Sequence, residues 1–279
     1  MSKVWFITGV SSGLGQAIAK AALDAGNRVV GTLRTEEQRQ AFTDLAPGRS
    51  YGMLLDVTDD EAIKTTVTRI EREVGPIDVL VNNAGYGIEG AVEETSLAQA
   101  RHQFDVNFFG LLAVTQAVLP GMRARRQGYI FNISSTGGLM AFPGLGVYNA
   151  SKHAVEALTE ALAQEVKELG IKVTAIEPGP FRTDWAGRSM LRAETRIDDY
   201  KSTAGAMREA LAQRNGKQSG DPARAGTVLV NLSNHDNPPR RLLLGTMGYK
   251  QIGNHLSGRL AEMISWVDAT ASTDFPPGE

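Results

Sequence analysis

The sequence predicts an α/β fold, a parallel sheet covered by helices on both faces, formed by one domain. Three observations lead there. Short, almost wholly apolar runs recur along the chain, Val4–Ile7 and Arg28–Leu33 first among them. Helical patterns separate those runs, as parallel neighbours require, and strands buried on both faces read as continuous apolar stretches. A glycine-rich turn, Gly9, Gly13 and Gly15, joins the first run to the first helix. At 279 residues one large domain is the economical reading.

Taken in order, Val4–Ile7 is a short buried strand, and Leu14 to Ala25 a helix closed by Gly26. Arg28–Leu33 is the next strand, followed by a helix from Glu36 to Leu45. Strand Tyr51 to Leu55, helix Asp59 to Val74 and strand Ile77 to Val81 continue the alternation. A long helix runs from Ser96 to about Arg125, then strand Tyr129 to Ile133, a helix carrying Tyr148 and Lys152, and strand Ile171 to Ile176. From residue 178 to about 220 the chain turns polar and shows no strand, so a loop-plus-helix insertion is expected over the strand ends. Asp221-Pro222 opens a helix to Leu232, an aspartate cap with proline at the first position. Leu242–Leu244 is a last strand, Tyr249 to Val267 a last helix, and Ser272 to Glu279 a frayed or neighbour-wrapping tail. The expected divisions are a core over 1–177, an insertion over 178–220, closing elements over 221–267 and a tail over 268–279.

Composition removes several function classes. With no cysteine, disulfides, thiolate catalysis and cysteine-ligated zinc are excluded. The four histidines, His102, His153, His235 and His255, show no metal-ligand spacing. Net charge is −2 and the pI near 6.1, without the basic excess of a nucleic-acid partner; Arg123, Arg125 and Arg126 read as a solvated helix end. The stretch from Phe108 to Met122 is the most apolar helical one and falls short of a bilayer's thickness. No charged region followed by a long apolar one opens the chain. A cytoplasmic protein acting on small molecules, away from nucleic acid and membrane, is expected.

The glycine turn sits after a strand and opens a helix, where free backbone N–H groups meet a pyrophosphate. Its spacing, Thr8-Gly9-Val10-Ser11-Ser12-Gly13-Leu14-Gly15, is G-x-x-x-G-x-G. The same residues spell the G-x-S-x-G of a serine hydrolase, with Ser11 as nucleophile. That elbow takes an oxyanion donor from an earlier strand-to-helix loop, and only ten residues precede Ser11. At the tip of the second strand stands Arg34 and no carboxylate. An acidic residue there would meet a ribose 2′-hydroxyl and an arginine a 2′-phosphate, so NADP(H) is preferred, with NAD(H) admitted.

Tyr148 and Lys152 stand four apart, followed by Ala154, Val155, Leu158 and Leu162 at helical spacing. A free tyrosine, with a pKa near 10, is a poor proton shuttle at neutral pH. A nearby ammonium favours the phenolate, and a shift of about three units needs roughly 4 kcal/mol of differential stabilisation. The bland alternative is a solvated helix face.

These residues together resemble the short-chain dehydrogenase/reductases. Thr8-Gly9-x-x-x-Gly13-x-Gly15, Asp56-Val57, Asn82-Asn83-Ala84-Gly85, Asn107, Ser135, Tyr148-x-x-x-Lys152 and Pro178-Gly179 with Thr183 follow that family's order and spacing. The resemblance implies a doubly wound (Rossmann) sheet of seven parallel strands with a nicotinamide cofactor across its switch point. It implies Tyr148 as general acid/base, Lys152 lowering its pKa and holding the nicotinamide ribose, and Ser135 orienting the substrate oxygen. Asn107 would anchor a water relay to Lys152. The cofactor would lie on Gly9, Ser11, Ser12, Gly13, Leu14 and Gly15, with Asp56 and Val57 at the adenine. Asn83, Ala84 and Gly85 would line the adenosine side, and Pro178, Gly179, Phe181 and Thr183 the nicotinamide. By analogy Tyr86, Ile88, Leu139, Met140, Phe142, Phe181, Trp185, Met190 and Leu191 would face the substrate. An apolar lining of that kind suits a hydrophobic ketone or secondary alcohol. The insertion would be a lid, and the family implies a homodimer or homotetramer through the long helix and the Tyr148 helix. Because all four catalytic positions are kept, a cofactor-sensing regulator on the same fold is the lesser alternative.

Overall fold

The computed structural model describes residues 2–187 and 189–275. Its first strand, β1 (Val4–Ile7), shows how the chain is partitioned. Successive side chains of a strand point to opposite faces. Val4 and Phe6 enter one core, Trp5 and Ile7 the other, and all four are fully buried. Burying a side chain of that size contributes about 1.5–3 kcal/mol, so one strand ties both cores together.

The rest follows as α1 (Gly13–Asp24), β2 (Arg28–Leu33), α2 (Glu36–Thr43), β3 (Ser50–Leu54), α3 (Asp60–Glu73) and β4 (Val79–Asn82). A short β5 (Gly87–Glu89) precedes α4 (Leu97–Phe104), a π-turn (Asp105–Phe109) and α5 (Gly110–Arg125). Then come β6 (Gly128–Ile133), α6 (Gly146–Glu165), β7 (Ile171–Pro178), β8 (Met190–Arg192), α7 (Ala206–Arg214), α8 (Pro222–Leu232), β9 (Arg241–Leu244), α9 (Thr246–Ser265) and α10 (Val267–Ala271). Side chains start several helices, Asp221 as expected and Asp59 and Ser96 in addition. Asp59 accepts from the Ala62 amide at 2.9 Å, Asp221 from the Ala223 amide at 2.9 Å, and Ser96 forms a capping box with Gln99.

The main sheet has seven parallel strands in the order β3-β2-β1-β4-β6-β7-β9. The chain winds outward from β1 to β3, returns to β4, and winds the other way. The switch point between β1 and β4 therefore opens a crevice at the C-terminal strand ends, where such folds bind ligands. One core holds Ile63, Val67 and Ile70 of α3 with Val114, Val118 and Met122 of α5; the other holds Ile18 and Ala22 of α1 with Leu229 of α8.

Three expectations are corrected. The long helix is not regular: it passes through the π-turn, whose extra residue turns Asn107 inward to 1% exposure. The run Leu97–Arg125 is also long and apolar enough, by composition, to cross a bilayer, unlike the shorter stretch read from the sequence. Here its apolar face packs on the sheet. Finally, the segment after Pro178 does contain a strand: β8 pairs in parallel with β5, Gly87 against Met190 and Glu89 against Arg192. That pairing joins residues about a hundred apart, too short at each end to leave a periodic signal. The expected tail lies outside the described residues from 276 onward.

Candidate active site

The glycine turn leaves β1 with Gly9 at φ 72° and Gly13 at φ 63°, conformations that side chains rarely take. Its third glycine answers to space. A Cβ at Gly15 would lie 2.2 Å from the Gly9 carbonyl and 2.4 Å from Asn83 Nδ2, so only glycine lets α1 close onto the turn. Thr8 fastens the neighbouring strand end: its hydroxyl accepts from the Asn83 amide at 2.9 Å and the Ala84 amide at 3.0 Å. Asn83 Nδ2 donates back to the Thr8 and Gly9 carbonyls. Ser12, the residue before α1, makes no side-chain cap. The helix thus presents its first N–H groups to the cleft, the arrangement that receives a phosphate.

At the far end Arg34 is exposed beside the cleft, next to Asp56. Glu36 is committed to Arg39, with both carboxylate oxygens 2.8 Å from its Nε, and no ion pair holds Arg34 among the described residues. The Thr58 backbone amide holds the Asp56 carboxyl below the usual range, helped by the Thr58 hydroxyl, Arg34 and His102.

The reacting groups converge from three elements. Ser135 follows β6, and its Oγ accepts from the Gly137 amide at 3.0 Å; a Cβ at Gly137 would stand 3.4 Å from that Oγ and 3.2 Å from Tyr148 Cε1, which puts the two side chains side by side. Tyr148 and Lys152 rise from one face of α6, both buried at 6% exposure. Lys152 Nζ donates to the Ile133 carbonyl at 2.7 Å. Asn107 clamps the opposite wall: Oδ1 accepts from the Tyr86 amide at 3.0 Å, and Nδ2 donates to the Tyr86 carbonyl at 2.9 Å and to Ser151 Oγ at 3.1 Å. Its amide is therefore spent on protein partners. Gly85 lies between, where a Cβ would stand 3.1 Å from Asn107 Oδ1 and 3.7 Å from Lys152 Nζ.

The electrostatics differ from expectation. Burial pushes Tyr148 up to about 12, with Ser135 pulling it back. Burial draws Lys152 down to about 8, opposed by Glu156. The ammonium is tied to the Ile133 carbonyl, and burial dominates the phenol.

A cleft of about 840 Å³ collects Gly9, Ser11, Ser12, Gly13, Leu14, Arg34, Asp56, Val57, Asn83, Ala84, Gly85, Tyr86, Ser135 and Tyr148 with Pro178, Gly179, Phe181 and Thr183. Phe142, Trp185 and Leu191 also line it. Gly15, Asn107 and Lys152 stand directly behind that wall. Met140 and Leu139 do not line it, nor do Ile88 and Met190. The Met140 amide is tied back to the Thr136 carbonyl at 3.1 Å, and the turn brings Phe142 round instead, its amide held by Asn149 Oδ1 at 2.9 Å. Ile88 and Met190 are buried in the small β5–β8 sheet. Sequence reasoning missed Leu145, Met207, Leu211, Met247 and Gln251 in the lining. Met207 and Leu211, four apart in a polar segment, were the one available signal.

A doubly wound parallel sheet with a glycine cradle at its switch point, and Ser135, Tyr148 and Lys152 gathered beside it, defines a dinucleotide-dependent oxidoreductase. The chain belongs to the short-chain dehydrogenase family, whose model matches residues 3–193. It is 39% identical over 269 residues to Oxidoreductase BOA17 of Botryotinia fuckeliana (strain B05.10), across 96% of each chain. It is 35% identical over 247 residues to a 3-ketodihydrosphingosine reductase of Bacteroides thetaiotaomicron, across 88% of each. A solved short-chain dehydrogenase from Streptomyces avermitilis aligns with a TM-score of 0.92 at 40% identity, over 99% of this chain and 100% of that one. Serine dehydrogenase complexed with NADP+ aligns with a TM-score of 0.74 at 27% identity, over 86% of this chain and 94% of that one. A nicotinamide cofactor and a small-molecule substrate accord with these likenesses.

Proposed function

We propose that the protein is an NADP(H)-preferring oxidoreductase interconverting a hydrophobic ketone and its secondary alcohol. The observation that carries this is the adjacent Ser135 and Tyr148 side chains lining the cleft, with Lys152 buried behind them. A substrate oxygen placed between the two hydroxyls accepts the Tyr148 proton while Ser135 fixes its orientation. When bound, the reduced nicotinamide supplies the hydride to the carbonyl carbon; the protein aligns that carbon. Gly9, Ser11, Ser12 and Gly13 would hold the pyrophosphate, Arg34 the 2′-phosphate, Asp56 the adenine, and Thr183 the carboxamide. Lys152 would hold the nicotinamide ribose.

The apolar wall of Phe142, Leu145, Trp185, Met207, Leu211 and Met247 supports an apolar substrate. A relative named for a 3-keto substrate supports reduction of a ketone. The insertion over 178–220 would serve as the lid. A panel of apolar and polar ketones assayed with NADPH and NADH tests the reading. Turnover of apolar ketones with NADPH is expected; cofactor binding with no turnover of any carbonyl would instead mark a regulator. Ser11 hydrolase chemistry has no support, since among the described residues no hydrogen bond joins Ser11 to a histidine.

A further inference from the structure

Behind the reacting groups lies a second set of ionisable residues that the reaction itself does not use. Glu156 stands one turn beyond Lys152 on the inward face of α6, and Glu177 faces it from β7; they are 5% and 1% exposed. Neither lines the cleft. The two carboxyl groups meet on one guanidinium nitrogen, Arg241 Nε. Yet each has a buried oxygen, Oε1, that no donor meets. Two ionised carboxylates have no proton with which to bond; one proton between them makes the bond and removes the repulsion.

The charged groups around the pair come from α6 and β9. From α6 come Lys152 on one side and Glu160 on the other. From β9 comes Arg241, whose Nε lies 3.0 Å from Glu156 Oε2 and 3.8 Å from Glu177 Oε1. Its other end reaches Glu160 at 2.7 Å, and Arg240 acts on Glu160 from beyond. From the end of β6 comes only a hydroxyl, Ser134 Oγ, itself buried without a partner. A Cβ at Gly138 would meet Ser134 Oγ at 2.6 Å and Glu156 Cγ at 3.0 Å, which puts the two side by side. Arg240 and Arg241 both act on Glu160, whereas the two buried carboxyls share the Arg241 guanidinium; one proton held between them removes the repulsion of two charges so close. Burial, then the Glu156 charge, raise the Glu177 carboxyl far above its ordinary range, with Arg241 acting against them. Glu156 also favours the charged form of Lys152 against burial.

We propose that Glu156 and Glu177 share one proton and are positioning residues for the charge on Lys152. Glu156 keeps the buried ammonium protonated. Loss of the shared proton at alkaline pH adds a second negative charge to the pair and strengthens that hold, so the two titrations are linked. Catalysis would thereby keep its ammonium further into the alkaline range than a lysine so buried would otherwise allow. The consequence for turnover rests on the role proposed above for Lys152; the linkage itself does not.

The test titrates the whole protein carrying side-chain-labelled lysine by NMR, with the Lys152 signal assigned through Lys152→Arg. Wild type is compared with Glu177→Gln, Glu156→Gln/Glu177→Gln and the control Glu160→Gln, and kcat/KM is followed over the same pH range. Glu156 acts on the ammonium through its charge, and an opposite charge within about 4–6 Å shifts a titration by about one unit or more, so the Lys152 midpoint should fall by about one unit in the double variant. It should fall less in Glu177→Gln and stay in place in Glu160→Gln. The alkaline limb of kcat/KM should move with it. A Lys152 midpoint that stays where it is in the double variant overturns the linkage, whatever the activity. A midpoint that moves without the limb upholds the linkage and removes the role given to Lys152. Should the double variant not fold, Glu177→Gln decides alone, because it is isosteric with the protonated carboxyl: an unchanged midpoint there also refutes the proposal.

Discussion

The ring of Tyr148 packs 5.1 Å from the ring of Trp185, tilted by 55°. Trp185 comes from the loop after β7, where its amide donates to Thr183 Oγ1 at 3.3 Å, and it leans on Gly87, whose Cβ would lie 2.9 Å from Trp185 Cζ2. A residue of the insertion thus walls Tyr148. Aromatic contacts of this kind contribute about 0.5–1.5 kcal/mol beyond area. Trp185→Ala should therefore lower kcat/KM for a small ketone by about 2- to 12-fold, less for one bulky enough to fill the space. Steady-state kinetics with a size series checks this; equal losses across the series would exclude the wall.

Tyr148→Phe keeps the ring and its packing while removing the proton. General acid–base catalysis is typically worth about 10²–10⁴-fold, so kcat should fall by that range with cofactor affinity nearly unchanged. Ser11→Ala should act through cofactor binding. Reduction by Tyr148→Phe within threefold of wild type would remove the mechanism even with the fold intact.

Arg34→Ala tests cofactor choice. Losing charge-assisted contacts of about 1.5–3 kcal/mol should cost about 10- to 150-fold in kcat/KM with NADPH and little with NADH. A wild type that prefers NADH, or a variant that keeps its NADPH preference, contradicts the assignment.

Glu177 makes stability depend on pH. Its folded pKa is raised from 4.5 to about 8, by burial first, so the folded state binds the extra proton. Its favourable contribution is complete below the unfolded value and is lost as pH rises through the folded one. Glu177→Gln removes that loss. Melting temperatures at pH 5 and pH 9 should show the variant gaining on wild type as pH rises; a constant difference would show that no such proton is held.

Helices α5 and α6 are expected to meet their copies in a second subunit, as the half-buried Leu158 and the exposed Phe109, 53% accessible, suggest. Light scattering at micromolar concentration should give at least twice the chain mass, and Phe109→Glu should lower it. Monomer alone in wild type would disprove this.

The alternation of apolar runs and helices, the glycine turn and the seven spaced motifs were enough to determine a parallel doubly wound sheet, its switch point and the residues around it. Those signals are local: each strand's burial shows in its own composition, and each helix start in its own cap. Tertiary structure alone decided what depends on distant partners. The β5–β8 pairing, the Phe142-for-Met140 exchange and the Arg208 contact to Glu89, 119 residues away at 2.5 Å, leave no periodic trace. Nor does sequence show that Lys152 points its ammonium at the Ile133 carbonyl, or that Glu156 and Glu177 share the Arg241 guanidinium. Spacing along a helix tells which side chains share a face, whereas their charge states are set by how much water the rest of the fold removes.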